Sequence, residues 1–259
     1  MKLYAIKTRL IKRGDDLAKV ILDSLQGENL KLENRDILAI TSKVISVAEG
    51  RTVKLSEVHP TRKAEKLASD FDLPPAFAQL VLDESEEIRG GVKKAVLTLK
   101  KGVLTANAGI DNKNSPSDEV ILWPKDPTKS AKCIREEILS KTGKKVGILI
   151  LDSGLVPLRI GTTGLALAVA GFKPIRDDRN KKDLYGKKIQ ITRQAVMDDA
   201  ASAAHLLMGE TVEKIPVVLI KDAPVDFDDE AYSSEDVMMP TEEDIFLNMW
   251  SNCPKRLRK

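Results

Sequence analysis

Two stretches of this chain place carboxylates where an apolar run ends. In Asn107-Ala108-Gly109-Ile110-Asp111-Asn112-Lys113-Asn114, a strand-like run delivers Asp111 and Asn114 into a turn, and Gly109 lets backbone approach a ligand closely. These are hard oxygen donors of the kind Mg²⁺ or Mn²⁺ accepts. A self-contained Asx turn accounts for the same residues, because Asn and Asp bond their own backbone in turns. In Leu151-Asp152-Ser153-Gly154 an apolar strand ends in a carboxylate and a hydroxyl. Active sites of open α/β sheets collect at such strand ends. Asp152 can bind a metal there and Ser153 can add an oxygen; an ordinary strand-to-loop Asp is the alternative. If the two strands are neighbours, Asp111 and Asp152 can share a pair of cations that clamp a triphosphate.

Three further segments carry polar groups at close spacing. Pro157-Leu158-Arg159-Ile160-Gly161-Thr162-Thr163-Gly164 combines Arg159 with two glycines and two hydroxyls, a set able to hold an anion. It has neither the P-loop spacing nor a dinucleotide fingerprint, and Gly161 and Gly164 serve equally well as close-packing positions. In Met208-Gly209-Glu210, Gly209 is a natural helix C-cap that throws Glu210 off the helix end, towards a cation or into solvent. Thr41-Ser42-Lys43 ends a strand with two hydroxyls and a cation, able to meet phosphate or to lie at the surface. His205 and Asp198 share a helix face but stand about 10 Å apart along the helical rise, too far to pair. Both histidines, His59 and His205, therefore read as structural.

The elements that must position these residues mix strands and helices. Strands are expected at residues 3–6, 36–41, 95–99, 103–106, 146–151, 165–170, 189–192 and 216–220. Helices are expected from Gly14-Asp15-Asp16 to Gly27, over 62–70 and 76–84 around Pro74-Pro75, over 130–140, and over 197–208. Gly90-Gly91 reads as a turn and a possible subdomain break. The acidic segment 222–236 reads as a mobile connection, followed by a short helix over 242–249 capped by Thr241. Strict strand–helix alternation is absent, so the expected class is α/β of the mixed α+β kind, not a doubly wound sheet. The expected division is a catalytic domain over 1–221 and a connection plus helix over 222–259.

Composition narrows the function classes. Only 4% of the 259 residues are aromatic, which argues against a single-strand nucleic-acid binder with its stacking platforms. Net charge is +3 from 42 basic and 39 acidic residues, a mixed surface and not a polyanion-binding one. Cys133 and Cys253 form no Cys-x-x-Cys and lie far in sequence from either His, so a thiolate zinc site is not expected. No secretory apolar stretch opens the chain and no run reaches the ~20 residues of a membrane helix. A cytoplasmic setting is the expectation.

The segments, taken in order, resemble the coenzyme F420-0:L-glutamate ligase family. The resemblance is carried by Arg13-Gly14-Asp15-Asp16-Leu17-Ala18, Ala48-Glu49-Gly50-Arg51, Glu84-Ser85-Glu86-Glu87, and Asn107-Ala108-Gly109-Ile110-Asp111 with Asn114. Asp126-Pro127 with Ser130-Ala131, Arg159 with Gly161, Lys182-Asp183-Leu184-Tyr185-Gly186 and Leu207-Met208-Gly209-Glu210 extend it to Pro216-Val217. It implies a GTP-dependent ligase that activates a carboxylate on the coenzyme's phospholactyl arm as an acyl phosphate. L-glutamate's amine then attacks, giving an amide, GDP and phosphate, and further glutamates join through γ-linkages. It also implies two intimately connected subdomains, an intertwined homodimer, and two divalent cations, Mn²⁺ or Mg²⁺.

Residue by residue, the resemblance makes Asp111 and Asp152 metal carboxylates and puts Ser153 beside the second metal, where the family usually has Thr. Ser42 and Asn114 match nucleotide-contacting positions, Leu10 and Ile11 line the nucleotide site, and Glu210 falls in the segment associated with the second metal. Three positions depart from the pattern. Val47 stands where the family has Lys, with Lys43 nearby as a substitute; Leu155-Val156 replaces Gly-Arg; Lys113 replaces a small Ser. The same chemistry on another carboxylate, or nucleotide binding without turnover, are the alternatives these departures leave open.

Overall fold

The apolar runs become the inner strands of a six-stranded sheet whose one end carries the candidate site. The structure is a computed structural model and describes residues 1–113 and 118–247. The first elements are β1 (Lys2–Ile6), α1 (Leu17–Gly27), β2 (Ile37–Thr41), α2 (Ser42–Ala48) and β3 (Thr52–Lys54). Next come α3 (Arg62–Phe71), α4 (Pro75–Glu84), β4 (Glu87–Val92), β5 (Ala95–Lys100), β6 (Val103–Ala106) and β7 (Glu119–Ile121). The chain continues through α5 (Pro127–Thr142), β8 (Gly147–Leu155), β9 (Thr162–Phe172), β10 (Arg176–Asp177), β11 (Arg193–Gln194), α6 (Val196–Met208), β12 (Val217–Lys221) and β13 (Phe227–Ser233).

The large sheet has the order β1-β12-β2-β8-β9-β13. β2 and β8 run parallel, with Ile37 beside Gly147 and Thr41 beside Leu151. Every other neighbouring pair in it is antiparallel. This is the mixed α+β architecture expected. Alternate residues of the inner strands serve opposite faces. Leu38, Ile40, Ile148 and Ile150 pack with Ile21 and Leu25 of α1 and Ile134 and Ile138 of α5. Ile37, Ala39, Leu149 and Leu151 pack with Met197, Ala201 and Ala204 of α6. Helices on both faces are why these strands read as unbroken apolar runs. The helices themselves start on sequence signals: Asp16 accepts the Lys19 N–H at 2.8 Å, and Asp126 caps α5 ahead of Pro127.

A separate cluster joins α3 and α4 to the β4-β5-β6 sheet and the β3-β7 ladder through Leu67, Phe77, Val81, Val96, Ile110 and Val120. It includes residues on both sides of position 90. Gly90 and Gly91 lie inside β4 and not in a turn; the reversal falls at Lys93-Lys94. Gly90 takes a φ of 123° beside a register shift in the β4–β5 ladder, and Gly91 lies where strand β5 comes close. A Cβ on Gly91 would sit 2.5 Å from the Ala95 carbonyl oxygen.

Two more expectations change at the C-terminal side. The strand expected over 189–192 lies at Arg193–Gln194, paired with Arg176–Asp177. The acidic segment after Lys221 contains strand β13, which adds to the large sheet beside β9. Its charge hid the few apolar contacts it makes across an irregular register: Phe227 packs on Phe172 with ring centroids 6.3 Å apart, while Asp229 pairs with Arg135 at 2.8 Å. The expected boundary at 221/222 thus falls between two strands of one sheet. Of the helix expected over 242–249, residues 245–247 form one helical turn and the last two positions lie outside the described residues.

Candidate active site

Strand β8 reaches Asp152 just past an irregularity, a register shift between Ile150 and Leu151 against β9. Such bulges re-aim the side chains that follow. The Asp152 carboxyl turns into a cleft of about 620 Å³. The Ser153 N–H donates to its Oδ1 at 2.8 Å, and the indole N–H of Trp123 donates to Oδ2. Burial pushes this carboxyl above its ordinary range against both donors; nearby Asp111 pushes it further, and Lys43 opposes.

Asp111 arrives by a strained turn. Asn107, Ala108 and Gly109 have φ values of 52°, 56° and 70° in succession. Non-glycine residues hold that conformation only when neighbours fix it. Here Asn107 Oδ1 accepts the Val96 N–H at 2.9 Å, and Thr98 Oγ1 accepts the Ala108 N–H at 2.9 Å. Asp111 then exchanges both backbone bonds with Ile121, at 2.9 and 2.8 Å. Its Oδ1 accepts the Lys113 N–H at 2.6 Å, which is the self-stabilised Asx turn considered from the sequence. Its Oδ2 lies 2.5 Å from Lys43 Nζ in the same cleft as Asp152. One oxygen serves the turn and the other serves the site.

A third group of side chains closes one end. The Ser153 and Thr162 hydroxyls each donate to Glu210 Oε1 at 2.7 Å, and His205 Nε2 lies 2.8 Å from the same oxygen. Lys113 Nζ is 3.5 Å from Glu210 Oε2, so Glu210 also ties back to the Asp111 loop. Burial works to raise the Glu210 carboxyl, but the bonds from Thr162, Ser153 and His205, with Lys113 nearby, hold it down at about 2. His205, read from sequence as structural, is part of the cleft wall. The signal that could have found it is its place one turn before the Gly209 C-cap, which brings Glu210 back onto it. Asp198 instead accepts the Ala166 N–H at 3.0 Å, as the helical spacing required.

The remaining expected residues divide. Leu10, exposed, and Ile11, buried, both line the cleft, as do Lys43 and Val47. Ser42 begins α2 between the cleft residues Thr41 and Lys43, with its own side chain buried. Arg159 stands on the exposed β8–β9 connection and is not part of the cleft wall. Asn114 lies outside the described residues. Trp123, which sequence reading passed over, is the residue that holds Asp152.

The potential ligands gathered here are mostly oxygens, the carboxylates of Asp111, Asp152 and Glu210 and the hydroxyl of Ser153, with His205 Nε2 beside Glu210. A hard divalent cation suits such a set, and it would relieve the repulsion between two carboxylates, one of them buried. Among the described residues, no three His, Cys, Asp or Glu converge in a ready-made metal cage. Mg²⁺-type sites are commonly built that way, from one or two carboxylates, water and substrate phosphate. The oxygens of this cleft have the chemistry to take a hard divalent cation.

Comparison with known proteins supplies the particular family. The F420-0:Gamma-glutamyl ligase family matches residues 5–222, and the chain belongs to it. It is 37% identical over 244 residues to the coenzyme F420:L-glutamate ligase of Archaeoglobus fulgidus, covering 94% of this chain and 95% of that protein. The namesake of Methanocaldococcus jannaschii is 38% identical over 218 residues, 84% of this chain and 86% of the relative. That of Haloarcula marismortui is 33% identical over 262 residues, 97% and 99% of the two chains. No described helix is long and apolar enough to cross a membrane.

Proposed function

We propose that this protein joins L-glutamate to coenzyme F420-0 at the expense of GTP. In this reading the γ-phosphoryl group passes to the coenzyme's carboxylate, the glutamate amine displaces phosphate from the acyl phosphate, and an amide, GDP and phosphate result. The observation that carries it is the meeting of Asp111 and Asp152, from stretches far apart in sequence, at one cleft beside Lys43. Asp111 and Asp152, with Ser153 and Glu210 at the far end, are the residues to hold two divalent cations, Mn²⁺ or Mg²⁺. Those cations would offset triphosphate charge during phosphoryl transfer. Lys43 is the cation for the phosphates. Leu10 and Ile11 are the apolar wall for the nucleotide, and Ser42 and Asn114 are assigned to it by family likeness. The identity of the relatives supports the substrates.

Homodimerisation belongs to the same reading. Leu155 at the end of β8 and Val156, Leu158 and Ile160 on the β8–β9 connection are exposed, as are Leu184, Tyr185 and Ile191 on the segment between β10 and β11. Large apolar groups left in solvent on two excursions favour a second copy as their cover.

One observation favours a second reading, a ligase for a different carboxylate. Val44 and Val47 make part of the cleft wall apolar where family likeness calls for a Lys at position 47. The test is to incubate the protein with Mn²⁺, GTP or ATP, L-glutamate and F420-0, following phosphate release and product mass. A product heavier by one or more glutamyl residues, made only with all components present, supports the first reading. Phosphate release that needs glutamate but ignores the coenzyme supports the second. GTP binding without turnover ends both.

A further inference from the structure

A buried donor outside the proposed chemistry points straight at the site, the indole N–H of Trp123. Trp123 is only 2% exposed, and its N–H, its one side-chain donor, points at Asp152 Oδ2. We propose that Trp123 is a positioning residue that fixes the Asp152 carboxylate in the orientation that receives a divalent cation. The proposal rests on the reading of Asp152 as a cation ligand and goes beyond it by naming what aims that ligand.

Two donors determine how the carboxylate is turned. The Ser153 N–H holds Oδ1 and the indole holds Oδ2. A carboxylate gripped at both oxygens cannot spin about its Cβ–Cγ bond, so its remaining lone pairs keep one direction. Hydrogen bonds of this kind to metal-binding carboxylates set ligand orientation and affinity.

The indole is itself fixed on several sides. Gly109 lies so close that a Cβ there would fall 2.1 Å from Trp123 Cε2. Lys100 Nζ sits 5.1 Å from the ring centroid, and a cation over the face draws on the ring's electrons. Arg51 Nε donates to the Trp123 carbonyl at 3.1 Å. Lys100 and Arg51 are joined through Glu84, at 2.8 Å from each. Lys100 Nζ also donates to the Ala108 carbonyl at 3.2 Å, inside the turn that leads to Asp111. One buried network thus supports the indole that holds Asp152 and the turn that delivers Asp111.

The test uses the full chain with Trp123→Phe, which keeps an aromatic ring against Gly109 and Lys100 but removes the donor. Mn²⁺ is titrated into each protein without nucleotide, following the electron paramagnetic resonance signal of free Mn²⁺, with a thermal melt alongside. The variant is expected to bind Mn²⁺ about 10- to 100-fold more weakly, with Asp152→Asn as the reference for loss of the ligand itself. A merely structural indole would lower the melting temperature and leave the affinity of the folded protein unchanged. That result, folded variant with parental Mn²⁺ affinity, overturns the proposal. A parent protein that binds no Mn²⁺ ends the cation reading and this inference with it; parental binding that survives in Trp123→Phe ends this inference alone. A second measurement does not depend on that variant folding. The sequence has two tryptophans, so Trp250→Phe leaves Trp123 the single indole. Its fluorescence is expected to change on Mn²⁺ addition with the midpoint found by resonance, and an emission indifferent to saturating Mn²⁺ counts against the proposal equally.

Discussion

Replacing Gly109 by alanine should damage the site and the fold together, and the size of the effect follows from two separate terms. The first is backbone: Gly109 has φ of 70°, and a side chain in the left-handed region costs about 1–2 kcal/mol. The second is space. The new Cβ would stand 2.1, 2.3 and 2.6 Å from Trp123 Cε2, Nε1 and Cζ2, far inside contact distance. The ring would have to retreat by about 1 Å or more to restore ordinary carbon contacts. It is held by Lys100 above it and Arg51 at its carbonyl, so the clash is resolved by strain, about 1–3 kcal/mol for overpacking of this kind. Together about 2–5 kcal/mol is expected, a fall in melting temperature of about 5–15 °C for a chain of this size. The assay is a thermal melt by circular dichroism, with Gly27→Ala as control. Gly27 ends α1 with nothing within 4 Å of an added Cβ, so that variant should melt at or slightly above the parent. A Gly109→Ala protein that melts within about 2 °C of the parent would refute the reasoning, because it would mean the turn and the indole yield freely.

Other perturbations have equally definite outcomes. Lys43→Met removes the ammonium 2.5 Å from Asp111. With a charge-assisted bond worth about 1.5–3 kcal/mol, the KM for the nucleoside triphosphate should rise about 10- to 100-fold in steady-state assays. Tyr232 donates to Asp228 at 2.7 Å, and that bond, with burial, pushes its phenol up to about 12 from an ordinary 10.0. A raised value in the folded state means the contribution is whole below pH 10 and lost as pH climbs through about 12. Tyr232→Phe should therefore narrow its stability deficit across that alkaline window, read from urea midpoints at stepped pH. Leu158→Glu with Ile160→Glu places charge on two fully exposed apolar positions. If those positions meet a second copy, light scattering should show the mass halved, whereas an unaltered mass assigns them to the monomer surface.

Much of the scaffold was legible because its causes are local. The β2 and β8 runs, the acidic start of α1 and the Pro74-Pro75 break before α4 each announce themselves within a few residues, whereas α5 starts at Pro127, three residues before the expected 130. Asp111 and Asp152 were legible as chemistry because each closes an apolar run. What sequence spacing could not carry was pairing across the chain. Gly90-Gly91 resembled a turn because the causes of its glycines, a positive φ at Gly90 and the neighbouring Ala95 carbonyl at Gly91, appear only once β4 is paired with the next strand. Strand β13 was hidden by charge, since Asp228, Asp229 and Glu230 outweigh Phe227 in any average over the segment. His205 was discounted by comparing it with Asp198 on its own helix, while its partner Glu210 lies beyond the C-cap. Trp123 was invisible for the same reason: its partner is 29 residues away, and only the folded chain brings the indole to the carboxylate.

The claim on which the rest depends is that Asp111 and Asp152 bind one cation centre between them. Crystals grown with Mn²⁺ and GDP, with diffraction recorded at the manganese absorption edge, test it most directly. The account predicts an anomalous peak within bonding distance of a carboxylate oxygen from each aspartate, lost in Asp152→Asn. A peak confined to some other part of the surface, or none beside these two side chains at saturating Mn²⁺, would contradict it.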